Sequence, residues 1–221
     1  MLNFTVLFFG KHNDYYSLNF LKILKKNFRK VKVIWYVKKK VKITKKFDYI
    51  FSFRSHFILN KTIIAKAKIY AINFHPGPPK YRGIGCVNFA LLNNEKNYGA
   101  TVHLINEKID NGKIIKVDQF KIFDNYNVTS LLKRTYITQL NQLKFIIRFM
   151  KLNNGDLDYL IDNNRFIWSE KLYTRKQLDK LYEINNRVSK KKFKNLIRAT
   201  VTDIYKPYIN FYNTKFFYEN R

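Results

Sequence analysis

Two rhythms alternate along the first two-thirds of the chain. Short apolar and aromatic runs rich in β-branched residues mark strands, and between them apolar residues recur at steps of three and four, as on one face of a helix. Residues 2–9 (LNFTVLFF) are the first such run, closed by Gly10. Leu18, Leu21, Leu24 and Phe28 then recur at helical spacing and predict a helix over Tyr15–Asn27. Val31–Val37 and Asp48–Phe53 read as the second and third strands, joined by a charged connection that holds Lys38, Lys39, Lys40, Lys45 and Lys46. A short helix over Asn60–Lys66 precedes a strand at 68–75; a helix is expected at Cys86–Asn93 and strands at 98–105 and 113–120. From about Thr129 to Lys151 a long amphipathic pattern has Leu132, Tyr136, Leu140, Leu143, Ile147 and Met150 as its buried stripe. Strand–helix–strand alternation implies an α/β fold with a mainly parallel, doubly wound, Rossmann-like sheet. Right-handed crossovers gather the C-terminal ends of its strands on one edge, where such sheets bind ligands.

Past residue 164 the pattern changes, so the expected organisation is a domain over 1–164 and an extension over 165–221. A helix near 175–184 has Thr174 as its N-cap, and a second, about 190–200, follows Ser189. The end, Tyr205–Tyr218, is aromatic-rich and reads as a hairpin turning at Asn213-Thr214. Such an apolar hairpin needs a cover, either its own domain or a second copy in a dimer.

Composition narrows the function classes. The chain has 221 residues and is 46% hydrophobic, enough for one buried core with an appendage. A single cysteine, Cys86, excludes a disulfide framework and a cysteine-built metal site, and suits a reducing cytosol. No apolar run reaches the ~20 residues of a membrane span. Residues 2–9 lack the basic flank and small-residue cleavage site of a signal peptide and read as a strand. The net charge of +28 suggests an anionic partner. It is scattered along the chain and dominated by lysine, however, so a compositional bias over solvated faces explains it better than a nucleic-acid site.

Chemistry concentrates in Asn73-Phe74-His75-Pro76-Gly77-Pro78-Pro79-Lys80-Tyr81-Arg82-Gly83. Positions two apart on a strand share a face, so Asn73 and His75 point together while Phe74 points away. Prolines then stop the strand and stiffen the loop. A carboxamide beside an imidazole places an oxyanion donor next to a proton shuttle. Downstream, Thr101–Ile115 reads as strand, loop, Asn-Gly turn and strand, and carries Asp110. His103 lies inside a strand in register with Thr101 and Ile105, where packing or a supporting role is expected. The turn Gly10-Lys11-His12-Asn13-Asp14 has neither a G-x-G-x-x-G nor a P-loop pattern. No histidine spacing suggests a metal site, and nothing resembles a Gly-x-Ser-x-Gly elbow.

Asn73-x-His75, the Pro-rich loop to Arg82-Gly83 and Asp110-Asn111-Gly112 together resemble the 10-formyltetrahydrofolate-dependent formyltransferase family in order, spacing and flanking strands. The stretch from His75 to Leu91 looks most like the branch that formylates nucleotide-linked amino sugars, of the GDP-perosamine N-formyltransferase type. The resemblance implies formyl transfer from 10-formyltetrahydrofolate to the primary amine of a nucleotide-linked amino sugar, such as GDP-perosamine or a dTDP-4-amino-4,6-dideoxyhexose made for O-antigen. It implies a metal-free cytoplasmic enzyme, a homodimer formed through the C-terminal extension, and Asn73, His75 and Asp110 as catalytic residues. Phe53, Arg54, Ser55, His56, Phe57, Ile58 and Leu59, with Leu104, Ile105, Asn106 and Ile109, fall where the family holds its pterin. Pro78, Lys80, Tyr81, Arg82 and Gly83 are the candidate acceptor-binding loop. Two rivals stand beside this reading: an enzyme like methionyl-tRNA formyltransferase, and a non-catalytic nucleic-acid-binding protein suggested only by charge and aromatics.

Overall fold

The computed structural model describes residues 1–36, 41–185 and 187–219. Strand β1 (Leu2–Gly10) leads into helix α1 (Tyr15–Asn27), whose start is fixed by the Asp14 carboxylate accepting the Ser17 N–H at 2.9 Å. Lys25 and Lys26 lie in its last turn, against the negative end of the helix dipole. Strand β2 (Phe28–Trp35) follows at once, three residues earlier than the sequence suggests; Val37 and Lys38–Lys40 lie outside the described residues. Next come β3 (Phe47–Phe53), the single turn α2 (Lys61–Ile64) capped by Asn60, and β4 (Ala67–His75). After the Pro-rich loop lie the two-residue β5 (Arg82–Gly83), α3 (Cys86–Leu92), β6 (Asn97–Leu104), β7 (Ile114–Lys121) and the long α4 (Val128–Leu152).

The main sheet has the order β2-β1-β3-β4-β6-β7. Its first four strands are parallel, while β6 runs antiparallel to both β4 and β7. This is the mainly parallel, Rossmann-like sheet expected, with an antiparallel excursion at one side. Alternation assigns the faces. Val6 and Phe8, then Ile72 and Phe74, join Phe20, Leu24, Leu143 and Ile147 in the large core under α1 and α4. Leu7, Phe9, Ile50 and Ala71 face the other way, toward a thinner layer built from Leu59 and Ile63. Asn73 and His75 share the parity of Ala71 and so emerge on the thinner side.

Two helix stripes differ from expectation. In α1, Ser17, Phe20, Leu21 and Leu24 are buried, whereas Leu18 is 50% exposed. In α4 the buried positions are Val128, Leu131, Thr135, Gln139, Gln142, Leu143, Ile146, Ile147 and Met150. The middle of that stripe is polar because it crosses sheet backbone: Gln139 donates to the Phe74 carbonyl at 2.8 Å and Gln142 to that of Ala100 at 2.9 Å. Hydrogen-bonding potential, not hydrophobicity, turns the helix there, and Leu132 and Tyr136 are left beside a cavity.

After α4 come α5 (Asp158–Asp162), β8 (Leu172–Tyr173), α6 (Arg175–Leu181), α7 (Lys190–Thr200) and the hairpin β9 (Tyr208–Phe211)–β10 (Thr214–Phe217). Thr174 and Gln177 form a reciprocal capping box at α6, and Ser189 caps α7. The hairpin turns at Tyr212-Asn213, one residue before the expected place, with φ of 46° and 60°. That double left-handed geometry is what a two-residue turn requires of its centre. Strand β8 pairs with β5, and Tyr173, Leu178 and Ala199 share a second core with Tyr81, Val87, Phe89 and Leu131.

Candidate active site

The antiparallel register of β4 and β6 sets Asn73 opposite His103 and His75 opposite Thr101. Four polar side chains meet there. Asp110 reaches in from the loop between β6 and β7 with φ of 43°, a conformation aspartate tolerates better than most residues. Its Oδ2 lies 3.2 Å from His75 Nδ1 and accepts the Gly83 N–H at 2.9 Å, and its Oδ1 lies 3.5 Å from His103 Nε2. Asn73 Nδ2 is 3.1 Å from His103 Nε2.

Both nitrogens of His75 face acceptors. Nε2 is 2.7 Å from the Tyr81 carbonyl, which can only accept, so that nitrogen carries a proton. Nδ1 faces the Asp110 carboxylate. Burial, with 2% of the residue exposed, favours the neutral ring. The negative charge and hydrogen bond of Asp110 outweigh it, and the His75 pKa stands well above the usual histidine value. Burial likewise opposes the Asp110 charge, and the two histidines overcome it, holding the carboxyl well below the usual range. The pair is therefore imidazolium and carboxylate, and His75 has no free lone pair to offer a substrate. In His103, Nδ1 donates to the Leu104 carbonyl at 2.7 Å, and Nε2 faces both the Asn73 amide and Asp110 Oδ1.

Trp168 closes the site from the chain's last quarter. Its ring lies edge-on to His75, centroids 5.6 Å apart, and to His103 at 5.0 Å, and its Nε1 donates to the Gly112 carbonyl at 2.8 Å. Arg82 ties the pieces together. Only 9% exposed, it donates from Nη1 to Ser169 O at 2.8 Å and from Nη2 to Ile109 O at 2.9 Å. One guanidinium thus spans its own loop, the Asp110 loop and the Trp168 segment.

A cavity of roughly 190 Å³ opens beside Asn73, His103 and Asp110. Ser55, Phe57, Ile58, Leu59, Ile105, Asn106 and Ile109 line it, with Ser52, Glu107 and Lys108 added. The other residues of the expected pterin set lie elsewhere. Phe53 points into the main core by strand parity, and Leu104 packs against that core. Arg54 turns to the opposite side of the sheet, where it pairs with Asp14 at 2.9 Å and lies 3.7 Å over the Tyr136 ring. The His56 ring sits 5.5 Å from Tyr36.

Nor does the expected acceptor loop line this cavity. Pro78 and Tyr81 are buried, Arg82 is spent on carbonyls, Gly83 serves Asp110, and exposed Lys80 pairs with Glu95 at 2.5 Å. Their geometry is that of a scaffold, rigid because Tyr81 N–H bonds back to Pro78 O at 2.9 Å. His103 and Trp168 are the site neighbours that the sequence underrates. Parity put His103 on the right face, but only the β4–β6 register places it against Asn73.

A family profile for formyl transferases matches residues 37–144, a span that holds Asn73, His75, His103 and Asp110. That span resembles a formyl transferase domain. It is 30% identical over 210 residues to the bifunctional polymyxin resistance protein ArnA of Wigglesworthia glossinidia brevipalpis, covering 90% of this chain and 31% of that protein. It is 30% identical over 143 residues to methionyl-tRNA formyltransferase of Clostridium tetani, 64% of this chain and 44% of that one. The chain thus spans less than half the length of these two curated relatives. Among solved structures, a 4-N formyltransferase from Francisella tularensis superposes with a TM-score of 0.77 at 20% identity, covering 97% of this chain and 96% of that one. An N-formyltransferase from Helicobacter canadensis, solved with folinic acid and dTDP-3-aminofucose, gives 0.72 at 24% identity, with 97% and 86% covered. These structures share the formyltransferase fold with the chain. Among the described residues no helix is long and apolar enough to cross a membrane, and no group of three His, Cys, Asp or Glu side chains could hold a metal.

Proposed function

We propose that the chain is a folate-dependent N-formyltransferase that moves a formyl group from 10-formyltetrahydrofolate to the primary amine of a nucleotide-linked amino sugar. The observation that carries this reading is the cluster of Asn73, His103 and Asp110, backed by His75, at the wall of one cavity. The cavity suits a flat heteroaromatic ring: Phe57, Ile58, Leu59, Ile105 and Ile109 are apolar, and two loops offer backbone groups at its edge. A donor held there would bring its formyl carbon to Asn73.

The reaction breaks the bond from the formyl carbon to N10 and forms one to the amine. One proton leaves the attacking nitrogen and one arrives on N10, so the site needs a relay and no net base. Asn73 donates to the developing oxyanion. Asp110 and His103 Nε2 line the cavity and carry the proton between the two nitrogens, directly or through water. The His75 imidazolium steadies Asp110, adds positive potential near the oxyanion, and holds the Pro-rich loop through Tyr81 O. Trp168 excludes water. The extension over 165–221, with Ile209, Phe211, Tyr212, Phe216 and Phe217 all exposed on its hairpin, supports a homodimer. A cytoplasmic role in O-antigen or another surface glycan follows from the acceptor class.

The test follows formyl transfer from 10-formyltetrahydrofolate at about 0.15 M salt, offering GDP-, dTDP- and UDP-linked amino sugars beside initiator methionyl-tRNA. Turnover with one nucleotide sugar and none with tRNA is expected. Turnover with tRNA alone would replace the sugar reading, making the +28 surface a phosphate-binding one.

A further inference from the structure

The main sheet ends in two edge strands, β2 on one side and β7 on the other. An edge strand offers unpaired backbone N–H and C=O groups, and folded chains either guard such an edge or cover it. β2 is guarded. Arg29, Lys30 and Lys32 stand exposed along it and Phe28–Trp35 holds no acidic residue, so a second copy laid there would meet only like charge. β7 carries both signs, and no strand lies beyond it among the described residues. Lys116 and Asp118 flank Val117 and share one face of the strand. They pair at 3.0 Å, and Lys116 Nζ lies 4.4 Å over the Phe145 ring of α4. Between them and α4 runs a cleft of roughly 370 Å³, with Ile137 and Phe145, 39% and 40% exposed, on its helical wall.

Two-fold symmetry makes this strip its own complement. Antiparallel strands related by an axis through Val117 set Lys116 of each copy opposite Asp118 of the other, and Val117 opposite itself. Directly opposed residues share a face, so both ion pairs fall on the α4 side, beside the half-exposed Ile137 and Phe145. Each copy carries a net charge of +28, and copies that repel at long range can touch only where the contact is locally neutral. Of the two sheet edges, β7 meets that condition and β2 does not. We propose that β7 is an isologous interface with a second copy of this chain, continuing the sheet across a two-fold axis through Val117. The contact is separate from the β9–β10 hairpin and does not depend on the reaction assigned above. Two distinct two-fold contacts build a tetramer where their axes meet at right angles and an open chain otherwise.

Sedimentation velocity of the full chain over a concentration series, at about 0.15 M salt, reads the association. The variants are Asp118→Lys and Lys116→Asp, each of which sets like charges opposite one another in both pairs. Each alone should weaken the β7 contact about tenfold or more, giving a smaller assembly than the native chain forms. Mixed in equal amounts the two should associate again, because one copy then brings two carboxylates and the other two ammonium groups. No contact within a single copy can produce that rescue. Asp118→Asn keeps the shape and should weaken the contact by a smaller factor; it carries the test if circular dichroism shows a charge reversal to be unfolded. Folded single variants that assemble as the native chain does, or a mixture of folded variants no larger than its components, would overturn the interface. A native chain that sediments as one copy would overturn it too, and would leave the edge to a strand from another protein.

Discussion

Asp110→Asn tests the electrostatic argument most directly, because asparagine keeps the shape and an oxygen for the Gly83 N–H while removing the charge. In the native chain a carboxylate held well below its usual pKa contributes stability that is full above about pH 4 and lost as pH falls through its folded value. The raised His75 contributes stability that is full below about pH 6.5 and lost as pH rises through its own elevated value. Both are therefore at full strength between about pH 4 and 6.5. Removing one partner of a buried pair costs about 3–5 kcal/mol; the retained Gly83 bond argues for the lower end. At about 2–4 °C per kcal/mol for a chain of this size, the variant should melt roughly 6–12 °C lower near pH 5.5. Without its partner, buried His75 should have a depressed pKa, so the variant should lose stability on acidification where the native chain does not. The gap should then narrow as pH rises above the native His75 pKa, where the native chain holds an uncompensated Asp110 charge. Thermal unfolding by circular dichroism from pH 5 to 10 measures this. A gap of equal size at pH 5.5 and 9.5, or none at 5.5, would refute the ion pair.

Three further outcomes are expected. Asn73→Ala should lower the rate of formyl transfer by ~10²–10³ while its melting temperature stays within a few degrees; a folded variant losing less than tenfold would remove Asn73 from the oxyanion. Trp168→Ala should open the site, raising hydrolysis of 10-formyltetrahydrofolate without acceptor and lowering transfer, and Trp168→Phe should recover most of the coupling; equal hydrolysis in all three would mean the indole excludes nothing. Gly83→Ala must fit a methyl 2.2 Å from the Tyr173 carbonyl at φ of 88°, so it should part β5 from β8, loosen Asp110 and cost at least ~1–3 kcal/mol; unchanged melting would show that the backbone there is free to move.

The fold was legible because strand parity and helix spacing are local. The bounds of α1 fell where Leu21, Leu24 and the Asp14 cap put them. The stripe of α4 was misjudged at Thr135, Gln139 and Gln142, since no hydropathy pattern shows that a glutamine will be buried to serve a strand carbonyl in a distant segment. The site followed the same division. Asn73 and His75 could be picked from strand parity and Asp110 from the family resemblance, and the structure brings all three within one network. Arg54 and Arg82 show the limit. Each is a cation next to the chemistry, yet Arg54 points through to the other side of the sheet edge and Arg82 is consumed by two carbonyls.

The orientation of His75 changes what the histidine can be asked to do. Read from sequence, an imidazole beside a carboxamide is a candidate base, since its ordinary pKa lies near neutrality. Its setting removes that option, because a ring clamped between a carbonyl and a carboxylate has already taken its second proton. The proposed formyl transfer between two nitrogens conserves protons at the site, so it tolerates a His75 that is charged near neutral pH. What it requires is a pair that can accept and return a proton at the cavity wall. Asp110 Oδ1 and His103 Nε2, 3.5 Å apart and both lining that cavity, are the pair to which the proposed mechanism gives that task.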